Sequence, residues 1–183
     1  SRYYDIWYAM MDGLRRDYPD TVFENCSSGA MRQDLSTLFH YDTQFISDTA
    51  NPVDIIRIAE GAMLRLPPGR ILRWAVLRGV ETPLPTLGKP PEEWLGRLVT
   101  PCGATWQVVE SVDADFLMAV SLPGALGFSG DLLAVPAAQR DRLRWYVAFH
   151  KQWRRFLQTA TGYLLTPVRS IGERRGETAF QFQ

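Results

Sequence analysis

Cysteine, histidine and excess charge are all scarce in this sequence of 183 residues. The two cysteines, Cys26 and Cys102, cannot form a disulfide framework, and neither lies in a CxxC metal motif. Lys plus Arg equals Asp plus Glu at 20 each, so the general positive charge that attracts nucleic acid or an anionic membrane is lacking. No apolar run approaches the ~20 residues of a membrane helix, and no signal peptide opens the sequence. We therefore expect a cytoplasmic protein with reduced thiols and with neither membrane nor nucleic acid as a partner.

What is present is enough apolar sequence for a core, arranged as alternating helices and strands. Apolar residues make up 46% of the chain and aromatic residues 12%. The patterns predict helices over 2–18, 53–66 and 137–157 and strands over 21–25, 41–47, 71–77 and 114–122. Asn51 and Pro52 are a typical helix start, and the segment 80–105 is predicted to be an insertion with a short helix at 92–98. Alternating strands and helices indicate an α/β fold with parallel strands.

Two of the predicted strands end in small polar or acidic residues. Glu24-Asn25-Cys26 closes one strand, and Ser47-Asp48 closes the next. In parallel α/β folds the chemistry is found at the carboxyl ends of the strands. Asp48, which follows an apolar pair, is a candidate general acid, because partial burial suits a carboxyl that gives up a proton near neutral pH. Its other possible roles are to cap the helix at residues 51–52 or to line a loop.

The segment Cys26-Ser27-Ser28-Gly29 offers small side chains and a flexible backbone where a ligand must approach closely. Cysteine catalysis is not favoured, because it needs a partnered histidine. His150 falls on the apolar face of a helix, and nothing indicates a catalytic role for His40. Arg32 and Asp34 are interpreted as structural, either as an ion pair or as support for the loop after Gly29. The tryptophans at 74, 94, 106, 145 and 153 are candidates for stacking on a sugar ring, although those of the long helix are more typical of a core. Trp74 lies in a predicted strand, and either it or its neighbour Arg73 could face the rim of the site.

The segments ENCSSGAMRQD and FISDT, in this order and spacing, resemble the α-galactosidases (melibiases) of glycoside hydrolase family 36. That family carries an E-N-C-x-S-G-G-x-R-x-D-like segment followed by an S-D motif. Weaker resemblance extends over roughly residues 3–158. It includes LRLPPGRILRWAVL, which is similar to the family's next strand, and the segment from Ser121 to Leu157, which is similar to its last strand and closing helix.

The resemblance implies a fold, an activity and a set of site residues. The fold is the C-terminal half of a (β/α)8 TIM-type barrel over 1–158, with four parallel strands and their helices, and the beginning of a C-terminal β domain over 159–183. The activity is hydrolysis of terminal α-galactosides with retention, as part of carbohydrate metabolism. Asp48 would be the general acid/base, and Cys26, Ser27, Ser28 and Gly29 would bind the sugar. This chemistry requires no cofactor and no metal.

The sequence departs from the family pattern in two respects. Ala30 stands where the family has its second glycine, and the K-W-D-x-N-like segment that carries the family's nucleophile does not occur in these residues. A retaining glycosidase needs two carboxyls about 5–5.5 Å apart. We therefore expect a fragment that is inactive alone, and a half-barrel whose open core face favours self-association or pairing with the missing half. The alternative is a non-catalytic carbohydrate-binding or assembly protein derived from such a barrel.

Overall fold

A computed structural model describes residues 2–27, 29–49, 51–77, 112–133 and 135–183. Its elements, in chain order, are α1 (Arg2–Asp17), β1 (Glu24–Asn25), α2 (Leu35–His40), β2 (Thr43–Phe45), α3 (Pro52–Met63), a 3-10 turn (Pro68–Arg70), β3 (Ile71–Val76), α4 (Ala114–Ser121), β4 (Ala125–Ser129), α5 (Ala137–Thr159), β5 (Gly162–Leu164) and β6 (Phe180–Phe182). The prediction for residues 80–105, including the helix at 92–98, falls on a segment outside the described residues.

The first four strands form one parallel sheet in the order β1-β2-β3-β4. Glu24 pairs with Thr43, Gln44 with Ile71, and Leu72 with Ala125. Helices connect successive strands, as parallel pairing requires. The predicted α/β class with four parallel strands is confirmed. Within the described residues, β1 and β4 each pair on one side only, which is the arrangement expected of part of a barrel.

The position of the fourth strand was predicted wrongly. Residues 114–122 were expected to be a strand, but Ala114–Ser121 is helix α4, and the strand is Ala125–Ser129. Asp113 caps the helix by accepting a 2.7 Å hydrogen bond from the backbone N–H of Phe116. The run between them is rich in Ala, Leu and Met, which favour helix. A short apolar run can form either a helix or a strand, and here the Asp113 cap favours the helix.

Helices α1, α3 and α5 begin where the sequence indicates, to within one residue. Asn51 caps α3 by accepting from the backbone N–H of Val53 at 3.0 Å, and Pro52 lies in the first turn. On α1 only Met11 is buried, whereas Tyr3 and Met10 are exposed. The aromatic side of α1 is therefore not covered by the described residues. None of the helices in the described ranges is long and apolar enough to cross a membrane.

The core lies between the sheet and the helices on one of its faces. One cluster joins β3 to α4 and α5 through Ala75, Leu117 and Leu143. A second joins β2 and β3 to α3 through Ile46, Ala59 and Ile71. Alternate residues of β3, namely Ile71, Arg73 and Ala75, are buried on this side. The opposite face of β3 carries Leu72, Trp74 and Val76 and lines a cavity instead.

The last 24 residues form an antiparallel pair, β5 with β6, whose connecting segment is fixed to α3 by a buried carboxylate. Glu60 is fully buried and accepts hydrogen bonds from Arg57 at 2.7 Å, from the Thr178 hydroxyl at 2.6 Å and from the Arg169 backbone N–H at 3.1 Å. Arg57 also donates to the backbone oxygens of Glu173 (3.3 Å) and Arg175 (3.2 Å). The assignment of residues 159–183 to the beginning of a C-terminal β domain stays a prediction.

Replacement of Glu60 by alanine tests the importance of this buried pair. The substitution leaves the Arg57 guanidinium buried without its carboxylate, which costs about 3–5 kcal/mol of unfolding free energy. The measurement is urea denaturation. The matched control is Asp141→Ala, which removes an ion pair to Arg144 that is exposed on both sides and should change stability by about 0.5 kcal/mol or less. Equal effects of the two substitutions would contradict the prediction.

Candidate active site

The two polar segments that follow β1 and β2 are in direct contact. Gly29 has a φ of +65°, and a Cβ placed on it would lie 2.7 Å from the backbone nitrogen of Asp48 and 3.1 Å from the Cα of Ser47. No side chain fits at that separation, so glycine is required both for the space and for the left-handed backbone. The parallel pairing of β1 with β2 brings the two segments to the same edge of the sheet.

A cavity of about 310 Å³ opens beside this contact, on the face of the sheet opposite the helical core. Its polar lining comes from the ends of strands and the loops after them, and its apolar lining comes mainly from strand interiors. The polar side chains are Glu24, Cys26, Ser47, Asp48, Thr49 and Ser129, and the apolar ones are Phe45, Ile55, Leu72, Trp74 and Val76. The described residues thus place a half-buried Asp48 at the wall of a concave site.

The four residues expected to bind sugar have different positions. Cys26 lines the cavity, and Gly29 packs against the backbone of Asp48. The backbone oxygen of Ser27 accepts a 2.9 Å hydrogen bond from the N–H of Met31, which closes the turn. Ser28 lies outside the described residues.

Asn25 holds this turn against the sheet. Its side chain is buried and donates to the backbone oxygen of Arg32 at 2.5 Å and to Gln44 Oε1 at 2.8 Å. The first bond ties the loop to β1, and the second ties β1 to β2. Asn25 therefore fixes the position of Cys26 without contacting the cavity.

Arg32 and Asp34 have structural roles, as the sequence indicated, although not as an ion pair with each other. Asp34 caps α2 by accepting from the backbone N–H of Thr37 at 2.9 Å. The Arg32 guanidinium lies over the Trp7 ring, 5.5 Å from its centre. These contacts hold the end of the loop after Gly29 on α1 and α2.

The loop after Asp48 is held by a series of short polar contacts. Thr49 donates its N–H to the Ser47 hydroxyl at 3.1 Å, and its own hydroxyl accepts from the Asn51 N–H at 3.2 Å. Asp54 lies within 3.4 Å of the same hydroxyl and forms an ion pair with Arg174 of the C-terminal segment. Because Asn51 caps α3, Asp48 does not have the capping role that was its alternative. Its carboxylate remains available to the cavity that it lines.

Glu24 is a second carboxyl of the cavity that the sequence did not single out as a site residue. Partial burial raises its pKa above the ordinary value for glutamate. Partial burial also raises the pKa of the Cys26 thiol, and the negative charges of Asp48 and Glu24 raise it further, although the residue as a whole is exposed. Glu24 lies in β1 and Cys26 directly follows that strand, two residues further along, and both side chains line the cavity. That two-residue spacing was the available signal.

Trp74, and not Arg73, faces the cavity. Arg73 is fully buried on the helical side, where it donates to the backbone oxygen of Val120 at 2.8 Å. Burial lowers the pKa of Arg73 to about 9. Its Nε and second terminal nitrogen have no hydrogen-bond partner among the described residues. Because successive side chains of β3 point to opposite faces of the sheet, Arg73 is buried on the helical side and Trp74 lines the cavity.

Both histidines lie away from this cavity. His40 bonds Asp12 at 2.7 Å and stacks on the Tyr8 ring. His150 is half-buried on α5, where burial lowers its pKa, and it lines a separate apolar cavity. Among the described residues, no group of three or more His, Cys, Asp or Glu side chains is placed to hold a metal ion.

A parallel sheet with helices on one face and a carboxylate-lined cavity at its carboxyl edge is the class of site found in α/β-barrel enzymes. The solved structures that the chain resembles share its fold. The GH36 alpha-galactosidase AgaA from Geobacillus stearothermophilus matches with a TM-score of 0.70 at 21% identity, over 96% of this chain and 20% of that one. The alpha-galactosidase from Lactobacillus brevis matches with a TM-score of 0.64 over 87% of this chain and 18% of that one. These matches confirm the fold as part of an α/β barrel.

Sequence comparison points to the same family. Residues 1–75 match the melibiase family model. Alpha-galactosidase AgaA of Geobacillus stearothermophilus is 26% identical over 161 residues, which are 87% of this chain and 19% of that protein. Alpha-galactosidase Mel36A of Lactobacillus acidophilus is 25% identical over 164 residues, or 90% of this chain and 19% of that protein. The resemblance to the family-36 α-galactosidases is confirmed, and the chain spans about a fifth of the length of these relatives.

The contact between Gly29 and Asp48 can be tested with two neighbouring substitutions that are expected to change the free energy of unfolding in opposite directions. Gly29→Ala should destabilise the chain by about 1–2 kcal/mol or more, because it adds left-handed strain and a clash with the Asp48 backbone. Ala30 has a φ of 77°, so Ala30→Gly relieves strain. The relief is partly offset by added freedom of the unfolded chain, and the net change should lie between zero and about 1 kcal/mol of stabilisation. Urea denaturation measures both, and destabilisation of similar size in both variants would contradict the geometry.

The charges around Cys26 should govern its reactivity. Since Asp48 and Glu24 raise the pKa of the thiol, Asp48→Asn and Glu24→Gln should each lower that pKa and speed alkylation by iodoacetamide at neutral pH. Peptide mass mapping separates Cys26 from Cys102. Glu177→Gln, an exposed glutamate outside the cavity lining, is the control. An unchanged alkylation rate in both site variants would show that neither carboxylate acts on the thiol.

Proposed function

We propose that this chain is part of a retaining α-galactosidase and that Asp48 is its general acid/base. The observation that carries the proposal is the contact of Gly29 with the Ser47–Asp48 backbone at the cavity. It brings together the two segments on which the resemblance to the family depends. The similarity to proteins named as alpha-galactosidases supports the same substrate class, a terminal α-galactoside.

The proposed chemistry proceeds in two steps. Asp48 protonates the glycosidic oxygen as a carboxylate nucleophile attacks the anomeric carbon and forms a glycosyl-enzyme intermediate. Asp48, now ionised, then removes a proton from the water that releases the sugar. Cys26, together with Ser27, Ser28 and Gly29, is proposed to contact the sugar that occupies the cavity.

The nucleophile is proposed to come from polypeptide outside these 183 residues. The family's nucleophile lies on a Lys-Trp-Asp-like segment, and the sequence contains no such segment. Glu24 is the other carboxyl of the cavity, but it lies in β1 and not on a Lys-Trp-Asp-like segment. Glu24 is therefore a useful control for Asp48.

The uncovered surfaces of the fold support pairing with the rest of a barrel. Within the described residues β1 and β4 are edge strands. Helix α5 exposes Trp145, Phe149 and Trp153 in a continuous stack along one face. Helix α1 exposes Tyr3 and other apolar side chains. Exposed apolar surface of this extent is typical of an interface.

A non-catalytic carbohydrate-binding protein is the second candidate. Ala30 favours it, because this residue adopts the left-handed conformation where the family has glycine. A site that does not have to catalyse a reaction can tolerate this backbone strain. In that case the cavity would bind sugar without cleaving it.

Hydrolysis of an aryl α-galactoside tests the assignment of Asp48. In an assembly that supplies the Lys-Trp-Asp-like segment, Asp48→Asn should lower the rate by about 10²- to 10⁴-fold, because the reaction loses its general acid/base. Glu24→Gln should retain most of the activity. The 183-residue chain alone should hydrolyse no faster than its own Asp48→Asn variant.

Three results would count against the proposal. Activity of the chain alone well above that variant would show that it contains both carboxyls. A larger loss in Glu24→Gln than in Asp48→Asn would reverse the roles. Sugar binding without hydrolysis in the complete assembly would favour the non-catalytic candidate.

A further inference from the structure

The face of β3 that carries Leu72, Trp74 and Val76 presents one large aromatic side chain to the cavity that Asp48 lines. Trp74 is half-buried and lines this cavity with Ser47 and Thr49. The register pairs Phe45 with Leu72, so two residues further along both strands Trp74 is level with Ser47, the residue before Asp48. The indole and the candidate acid therefore lie at the same height in the sheet.

One face of the indole ring rests on a glycine of the neighbouring strand. Trp74 pairs with Gly127, and a Cβ placed on Gly127 would lie 3.0 Å from Cδ2 and Cε3 of the indole. The missing side chain leaves room for the ring to lie against the backbone of β4. Because the same ring lines the cavity, its other side is available to a ligand.

The cavity thus combines a supported aromatic surface with carboxylates at its wall. In a galactopyranoside the axial hydroxyl at C4 leaves the C–H groups of C3, C4 and C5 together on the opposite side of the ring. Such a continuous apolar face packs on an aromatic ring, while the hydroxyls on the edge of the sugar reach polar side chains of the cavity such as Asp48. A glucopyranoside, with an equatorial hydroxyl at C4, lacks this continuous face.

We propose that Trp74 is the aromatic surface on which the galactosyl ring of the substrate stacks, and that it favours galactosides over glucosides. This inference rests on the proposed function and names a specificity-determining residue for it. The neighbouring Arg73 points to the opposite side of the sheet and takes no part.

Nuclear magnetic resonance of the assembly that supplies the Lys-Trp-Asp-like segment, with methyl α-galactoside as ligand, tests the inference directly. Saturation transfer from the protein should be strongest at H3, H4 and H5 of the sugar. The indole N–H resonance of Trp74, assigned by its loss in Trp74→Phe, should shift on titration. That of Trp153, assigned by Trp153→Phe, should not, because Trp153 lies on α5 and lines a different cavity. Methyl α-glucoside should give a weaker effect.

Affinity supplies the second measurement. Trp74→Leu should weaken binding of methyl α-galactoside by about 3- to 10-fold, and Trp74→Phe, which keeps an aromatic face, by less than about 3-fold. Circular dichroism establishes that each variant is folded. If the leucine variant does not fold, the shift of the Trp74 indole resonance in the unsubstituted chain still decides the question.

The outcomes separate this inference from the proposed function. No binding by that assembly, a Trp74 resonance that does not move, or equal binding of the glucoside would overturn the inference. Its failure leaves the role of Asp48 untouched, because that role is measured by hydrolysis in Asp48→Asn. Conversely, sugar stacking on Trp74 together with full hydrolytic activity of Asp48→Asn would retain the binding role and remove the catalytic assignment.

Discussion

The close approach of the Gly29 backbone to the Ser47–Asp48 peptide is the contact on which the candidate site depends. It joins two loops that follow different strands, and it leaves no space for a side chain at position 29. Asn25 makes the approach possible by tying the first loop to β1 and β1 to Gln44 of β2. Among the described residues, the position of Asp48 is therefore set by backbone packing and by buried amide hydrogen bonds rather than by partners of its own carboxylate.

Residues along a strand alternate between the two faces of the sheet, so one face packs in the hydrophobic core and the other lines the cavity. On β3 the odd-numbered residues face the helices and the even-numbered ones face the cavity. One consequence is a fully buried arginine directly beside a cavity-lining tryptophan. A shift of one residue in the register would exchange the two faces and place the Arg73 charge beside Asp48. The pairing of β3 with β4 over five residues resists such a shift.

Much of the architecture could be predicted from local signals, but contacts between distant segments could not. Asn51-Pro52 marked the start of α3, and polar residues at two strand ends indicated the edge of the site. The apolar run before Leu122 was misassigned because its period is ambiguous, although Asp113 was a usable helix cap. From the sequence alone, either Arg73 or Trp74 could face the cavity. The choice depends on the register of β3 with its neighbouring strands, which cannot be predicted from a local sequence pattern. The hydrogen bonds of Glu60 to the C-terminal segment could not be predicted either, because they join residues that are far apart in the sequence.

The buried carboxylate of Glu60 has a consequence for the order in which the chain folds. Its partner Thr178 is 118 residues further along, so the network closes only after the segment that carries Thr178 has left the ribosome. Until then Glu60 and Arg57 must remain hydrated, because burying them without their partners is unfavourable. Helix α3, which begins three residues after Thr49, can thus reach its final packing only after Thr178 has been synthesised. Folding of the segment beside Asp48 is in this way coupled to synthesis of the segment around Thr178.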